Sequence, residues 1–346
     1  MLNGIHAIQH YLKSTWWAWN GGSSLLFWRW PTEESQRSAR DGWPVWWEDD
    51  SVAFPNHKNA QRSLTNELAC QLATKIGDVQ MKNYISPVGL TLSDVDYFPV
   101  PKIVIDGVII DIRVVYDATR SLLNAKVWSP NFFMPTIATP LRALLYGYWV
   151  VDFDLGEFFL NFPLPEALRK YVGVRMEAIK EILGTMDNTP LVFSHESWVR
   201  YLMGFTASPF STIKSFYHAE EAVVGDHTRK DSPVRWDRVI LNCIGDPKFD
   251  PRLPFVIQWD DVRECIAGAV SVFVDDGHGS GKDEEHCWQV ARLYTTVLQY
   301  LGIQNAARKT RPPTNKNPGA WAYSNMIYHH LGFVHVIPYR IPCVKM

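Results

Sequence analysis

Three carboxylates have the spacing for phosphoryl-transfer chemistry. Asp275 and Asp276 are adjacent in Ser271–Gly281, SVFVDDGHGSG, where a short β-branched and aromatic run meets Gly277, Gly279 and Gly281. A run of this kind ending at a glycine cluster predicts a strand entering a tight hairpin, with the two aspartates at its tip. Side chains alternate along a strand, so the two carboxylates point in roughly opposite directions and one can face a site while the other does not. Adjacent unpaired carboxylates repel, and a hard divalent cation that prefers oxygen ligands offsets that cost. An isolated Asp-Asp-Gly is also an ordinary solvated hairpin turn. The second acidic stretch bears on that choice. In Trp149–Leu164, WVVDFDLGEFFLNFPL, Val151, Phe153 and Leu155 alternate with Asp152 and Asp154, a period-2 strand with one acidic face. A carboxylate ending one strand and two more on a hairpin are the minimum apparatus for two-metal phosphoryl transfer.

Several elements must position these groups. Asn56–Lys82 has Leu64, Leu68, Leu72 and Ile76 near every fourth residue and predicts a helix. Tyr97–Lys102 and Val104–Val115 alternate as strands and meet at Asp106-Gly107, which predicts a β-hairpin with Lys102 on one arm and Arg113 on the other. On a plain reading both are solvated edge charges. A helix is expected over Pro140–Tyr146 before the acidic strand, and Leu168–Leu183 is amphipathic and basic on one side. Ser208-Pro209 predicts the start of a helix, Ser as cap and Pro in the first turn. Asp283–Leu301 predicts another, with Val290, Leu293, Val297 and Leu301 on one face. Gly277–Lys282, GHGSGK, looks like half a phosphate loop, but Asp276 and Asp283 stand where a full loop needs Gly and Ser or Thr.

The composition limits the classes. The 346 residues, 47% hydrophobic and 20% charged, suit one large or two modest globular domains. A net charge of −2 excludes a basic field over the whole surface but leaves room for a local basic groove. Five cysteines without a Cys-x-x-Cys pair imply reduced thiols and no zinc ribbon. No apolar run approaches the roughly 18 residues of a membrane span and no signal peptide is visible. The expectation is an intracellular protein, nuclear or cytoplasmic, without a membrane partner. Fifteen tryptophans are many, and Met1–Pro55 holds eight of them. That segment reads as an aromatic subcore docked on the main domain or as a stacking platform for single-stranded bases, with Arg29, Arg37 and Arg40 near phosphate.

Asp154-x-x-x-x-Phe159 together with Phe273-x-Asp275-Asp276 resembles the palm motifs of reverse transcriptases. Further segments follow in the family's order from about Phe98 to Tyr323. Lys102 and Arg113-Val-Val-Tyr-Asp117 resemble fingers residues that grip the triphosphate of the incoming nucleotide, a ligand that Arg meets bidentately and Lys as a point charge. Tyr201–Pro209 resembles the Leu-Pro-Gln-Gly-x-x-x-Ser-Pro loop, with Leu202 in place of proline and Met203 in place of the nucleotide-contacting glutamine. Pro318–Tyr323 resembles the primer grip.

The resemblance implies an α+β right-hand polymerase with fingers and an antiparallel palm sheet backed by helices, and RNA-directed DNA synthesis on a primed RNA or DNA template from dNTPs with two Mg²⁺, Mn²⁺ being an alternative. It assigns the metal-bound catalytic carboxylates to Asp154, Asp275 and Asp276, with Asp276 a weaker ligand, and protonation of leaving pyrophosphate to Lys309. Nucleotide contacts fall to Lys102, Arg113, Glu157, Met203 and Gly204, and Phe159 takes the place of the aromatic gate under the sugar. Asp152 has no counterpart and is expected to be a bystander.

The expected division is an aromatic segment over 1–55, a fingers-like region over 56–148, a palm over 149–323 with an insertion at about 225–261, and a tail over 324–346 in place of the thumb. A truncated retroelement product is the reading that follows. The rival is an inactive palm remnant that binds nucleic acid or protein. An RNA-templated RNA polymerase ranks third, since those enzymes usually carry Gly-Asp-Asp where this chain has Val274-Asp-Asp.

Overall fold

The computed structural model describes residues 26–48, 64–87, 91–132, 148–176, 195–306 and 313. The expected helix over Pro140–Tyr146, Lys309, the primer-grip segment and the tail lie outside them. The chain is mixed α+β, with small antiparallel sheets and helices, and it divides into two compact units. One comprises residues up to Phe132 and Phe159–His218, the other Phe133–Phe158 and the chain from Ala219 onward. No helix among the described residues is long and apolar enough to cross a membrane.

The first unit begins with α1 (Glu33–Asp41), which the poor helical periodicity of the tryptophan-rich segment did not suggest. Its start is local chemistry: Thr32 Oγ1 accepts the Ser35 N–H at 3.1 Å, and Ser35 Oγ accepts the Thr32 N–H at 3.0 Å. The strand residues β1 (Trp46–Trp47) follow, then α2 (Asn66–Met81), capped by Thr65 and burying Leu72, Ala73 and Ile76. Next come β2 (Ile85–Pro87), the long arms β3 (Asp96–Ile105) and β4 (Val108–Asp117), the helical turn α3 (Leu123–Lys126) and β5 (Val127–Trp128). The β3–β4 turn has φ +50° at Asp106 and +80° at Gly107, the two left-handed residues of a type I′ hairpin. Trp30, Trp43, Trp198, Tyr201, Phe162, Phe205 and Phe216 are buried, so part of the tryptophan excess serves packing.

The chain then enters the second unit through β6 (Trp149–Asp154) and returns through the single helical turn α4 (Glu166–Arg169), β7 (Gly173–Arg175) and β8 (His195–Trp198). The amphipathic pattern from Leu168 therefore does not make a helix up to residue 176. β7 pairs with β8 instead, and Gly173 lies where a Cβ would stand 2.5 Å from Asp94 Oδ1. Helix α5 (Ala207–Val224) begins in the first unit and continues past His218, where that unit ends. Ser208 sits inside its first turn, and its hydroxyl donates to the Leu202 carbonyl at 2.7 Å instead of capping the helix.

In the second unit the segment expected as a surface insertion is ordered. It builds an antiparallel sheet from β9 (Arg238–Leu241), β10 (Val256–Asp260) and β11 (Cys265–Ile266), with β10 central. Arg235 is buried and ion-paired to Asp260 at 3.1 Å and Asp237 at 2.5 Å, so it is not presented to a ligand. Arg229 is likewise engaged, with Asp231 at 2.6 Å. The second sheet takes β12 (Ala269–Phe273), β13 (Asp276–Gly281) and β6 in the order β12-β13-β6, all antiparallel.

Helix α6 (Glu284–Tyr300), capped by Asp283, covers one face of that sheet. It buries His286, Cys287, Val290, Ala291, Tyr294 and Leu298; of the expected stripe Val290 and Leu301 are buried, while Leu293 and Val297 are half-buried. The buried face follows from what it meets: Tyr294 stacks on Phe153 at 4.4 Å, and Cys287 lies against Gly281.

Candidate catalytic site

The β12–β13 hairpin turns at Val274-Asp275, one step before the glycines. Phe273 pairs with Asp276, so Asp276 opens β13 and is not at the tip. Gly277, Gly279 and Gly281 are then alternate residues inside a central strand and share its other face. A Cβ at Gly281 would lie 2.5 Å from Cys287 N in α6, and one at Gly279 3.0 Å from Val151 Cγ1. The three glycines thus admit α6 and the β6 side chains close to the sheet. Their amides belong to a strand paired on both sides, which leaves no phosphate loop at GHGSGK.

The other face of the sheet carries the acidic residues. Asp276 is the register partner of Asp154, and His278 that of Asp152. Residues directly opposed across antiparallel strands have Cβ atoms about 4.5–5.5 Å apart on one face, and like charges so placed are destabilising. Asp154 is 9% exposed and Asp276 half-buried. Asp275 sits in the turn, where its carbonyl accepts the Leu155 N–H at 2.8 Å. Ala306 N–H donates to the Asp154 carbonyl at 2.8 Å and Gly156 N–H to the Gln304 carbonyl at 3.0 Å. The backbone around Asp154 is therefore held from both sides, by the hairpin and by residues 304–306. Those three residues carry no motif, and only their pairing reveals their role.

Val274 has φ +58°. A β-branched residue in the left-handed region costs on the order of 1–3 kcal/mol. The strain falls in the turn that sets Asp275 and Asp276 against Asp154.

Asp152, expected to be a bystander, has a partner on its own sheet face: His278 Nδ1 lies 2.7 Å from its Oδ1. In the sequence only the acidic face that Asp152 shares with Asp154 hints at a role; the β6–β13 register is what sets His278 opposite it. Cys287, behind the sheet, has its thiol pushed up to about 12 by burial and does not serve as a thiolate at neutral pH.

The remaining residues singled out by sequence are divided between the two units. Glu157 belongs to the second unit, exposed and left-handed at φ +52°. Phe159, half-buried in a 3₁₀ turn, Lys102, Arg113, Met203 and Gly204 belong to the first. Lys102 Nζ is 3.2 Å from Asp111 Oδ2, which Lys75 also meets at 2.9 Å. The two ammonium groups, Lys75 first, hold the Asp111 carboxyl below its usual range. Arg113 is exposed on β4 and has no ion-pair partner among the described residues.

Gly204, at φ +89°, is required by the protein itself, because a Cβ there would overlap the Tyr116 carbonyl. Asn124 ties the same loop down, its Nδ2 donating to the Gly204 carbonyl at 2.9 Å and its Oδ1 accepting the Thr206 N–H at 2.9 Å. Met203 stays exposed beside it.

Among the described residues no three Asp, Glu, His or Cys side chains converge as a ready cage for a metal ion. A pair of opposed carboxylates nevertheless fits Mg²⁺, which is usually held by one or two carboxylates together with substrate phosphates and water. No protein-family model matches the chain, and no curated protein matches it.

Proposed function

We propose that this protein is a template-directed nucleotidyltransferase of the reverse transcriptase type, with β6, β12 and β13 as the core of its palm sheet. The observation that carries the reading is the register of Asp276 opposite Asp154, with Asp275 bonded through its backbone to Leu155. Two acidic stretches from distant parts of the chain meet on one sheet face, where carboxylates from both could share a cation.

Asp154, Asp275 and Asp276 would hold Mg²⁺, which when bound supplies activation of the primer 3′-hydroxyl and neutralises charge on the leaving pyrophosphate. Arg113 would meet the triphosphate through its fork of donors, and Lys102 would first have to leave Asp111 to do so. Phe159 would pack under the sugar and exclude a 2′-hydroxyl. The strained turn at Val274 and the Ala306 contact keep the carboxylates in place while substrate enters.

Primer extension on poly(rA)·oligo(dT) with Mg²⁺ or Mn²⁺ tests the reading. Asp154→Asn should lower incorporation by about 10³-fold, the scale of losing a principal transition-state stabiliser, and Asp276→Asn, at the weaker ligand, by less. A wild-type chain that extends no primer with either ion, or variants that extend as well as wild type, would reject it.

A further inference from the structure

Asp152 and Asp154 are two residues apart on β6, so their side chains leave one face with about 6.6 Å between their origins. Asp276 and His278 stand opposite them in register. This face therefore holds a block of three carboxylates and one imidazole. A flexible aspartate at Asp152 is within reach of any ion held at Asp154. It is not free to swing there, because His278, itself only 6% exposed, holds it at 2.7 Å. That length is at the short end for an N–H to carboxylate bond and marks a charge-assisted contact. The imidazole must carry its proton on Nδ1 to donate.

We infer that His278 is a positioning residue that keeps Asp152 out of the ion-binding cluster. The inference rests on the polymerase reading. An ion shared with a triphosphate needs coordination positions left open for phosphate oxygens, and it tolerates only one or two protein carboxylates. A carboxylate beyond Asp154, Asp275 and Asp276 would raise affinity for the bare ions while filling a position the substrate requires. His278 prevents this by giving Asp152 a better-placed partner within the sheet.

The test is calorimetric titration of Mn²⁺ into the full chain, together with kcat and KM for single dNTP addition. His278→Leu fills the space without a donor and releases Asp152. Mn²⁺ should then bind about tenfold tighter, the effect of added ligand charge, while kcat falls by about 10- to 100-fold, the usual scale for loss of an outer partner. Asp152→Asn with His278 intact should leave Mn²⁺ affinity unchanged. The double variant Asp152→Asn/His278→Leu has no carboxylate to release and should recover wild-type affinity and most of kcat.

A double variant as impaired as His278→Leu would mean that the histidine only supports packing, and the inference would fall. It would fall equally if Asp152→Asn weakened Mn²⁺ binding, since Asp152 would then be a ligand already; this arm holds even where His278→Leu does not fold. A wild-type chain that binds no Mn²⁺ and adds no nucleotide overturns the polymerase reading and this inference together. Normal wild-type activity with an unaltered His278→Leu overturns the inference alone.

Discussion

Alanine at the three glycines of β13 measures how closely α6 seats on the sheet behind the acidic face. At Gly281 the new Cβ would stand 2.5 Å from Cys287 N, 2.8 Å from His286 C and 2.9 Å from Cys287 Cα. These are backbone atoms of a helix, and carbon contacts are favourable only near 3.5–4.0 Å. The helix would have to move by roughly 1 Å. Overpacking of this kind costs typically 1–3 kcal/mol, while replacing glycine inside a strand returns about 0.5–1 kcal/mol. The net loss at Gly281 should be about 2 kcal/mol. At Gly277 the Cβ would lie 2.7 Å from Phe153 Cε2, and that ring is stacked on Tyr294 and cannot turn aside. A loss of about 1–2 kcal/mol is expected there. At Gly279 the nearest atoms are methyls, Val151 Cγ1 at 3.0 Å and Val290 Cγ1 at 3.2 Å, which can yield a few tenths of an ångström. The two terms should nearly cancel.

Gly77, in α2 with nothing within 4 Å of an added Cβ, serves as the control and should gain up to about 1 kcal/mol as alanine. Urea denaturation followed by tryptophan fluorescence and far-ultraviolet circular dichroism gives the four values on one scale. The order of stability should be Gly77→Ala, Gly279→Ala, Gly277→Ala, Gly281→Ala. If Gly281→Ala is as stable as Gly279→Ala, helix α6 does not seat where described and the explanation of the glycines is wrong.

Four further outcomes follow from the same physics. Val274→Gly removes a left-handed β-branched residue and should stabilise the chain by about 1 kcal/mol, less than the full strain because glycine loosens the unfolded chain; a loss of stability would show that the valine side chain packs. Asp260→Ala leaves Arg235 buried with Asp237 alone and should cost about 3–5 kcal/mol by thermal or urea unfolding, whereas a change below about 1 kcal/mol, the surface-pair value, would contradict the burial. Burial raises the Glu220 carboxyl from 4.5 to about 7, so the folded state holds this proton more tightly than the unfolded one. Its stabilising contribution is complete below about pH 4.5 and is lost as pH rises to 7, by at most about 3 kcal/mol; Glu220→Gln should flatten that part of the stability–pH curve, and an unchanged curve would dismiss the group. Under the polymerase reading, Phe159→Val should raise ribonucleotide use in dNTP–rNTP competition without abolishing dNTP incorporation, and unchanged selectivity would remove Phe159 from the site.

Local chemistry made much of the fold legible from the amino acids in order. Asp106-Gly107 between alternating runs is a type I′ hairpin because both residues accept positive φ. Asp283 starts the expected helix because its oxygen accepts an N–H group that the first turn leaves without a partner, whereas the helix expected over Asn56–Lys82 starts at Asn66, after the Thr65 cap. The alternation of Val151 and Phe153 with Asp152 and Asp154 is a strand with one acidic face, and it is one in the structure. These depend on neighbours within a few residues, so the sequence alone determines them.

Tertiary pairing decided the rest. Nothing near Asp154 or Asp276 says that they will be opposed; the β6–β13 register does, and a slip of one residue would have turned either carboxylate to the helix side. The glycines of SVFVDDGHGSG read as turn residues until α6 is laid against them. Arg235 reads as a surface cation until Asp260 arrives from another strand, and Asp152 as a bystander until His278 is placed across from it. In each case the residue's meaning is set by a partner distant in the chain. Such partners are selected by burial and hydrogen bonding over the whole sheet, which no local pattern encodes.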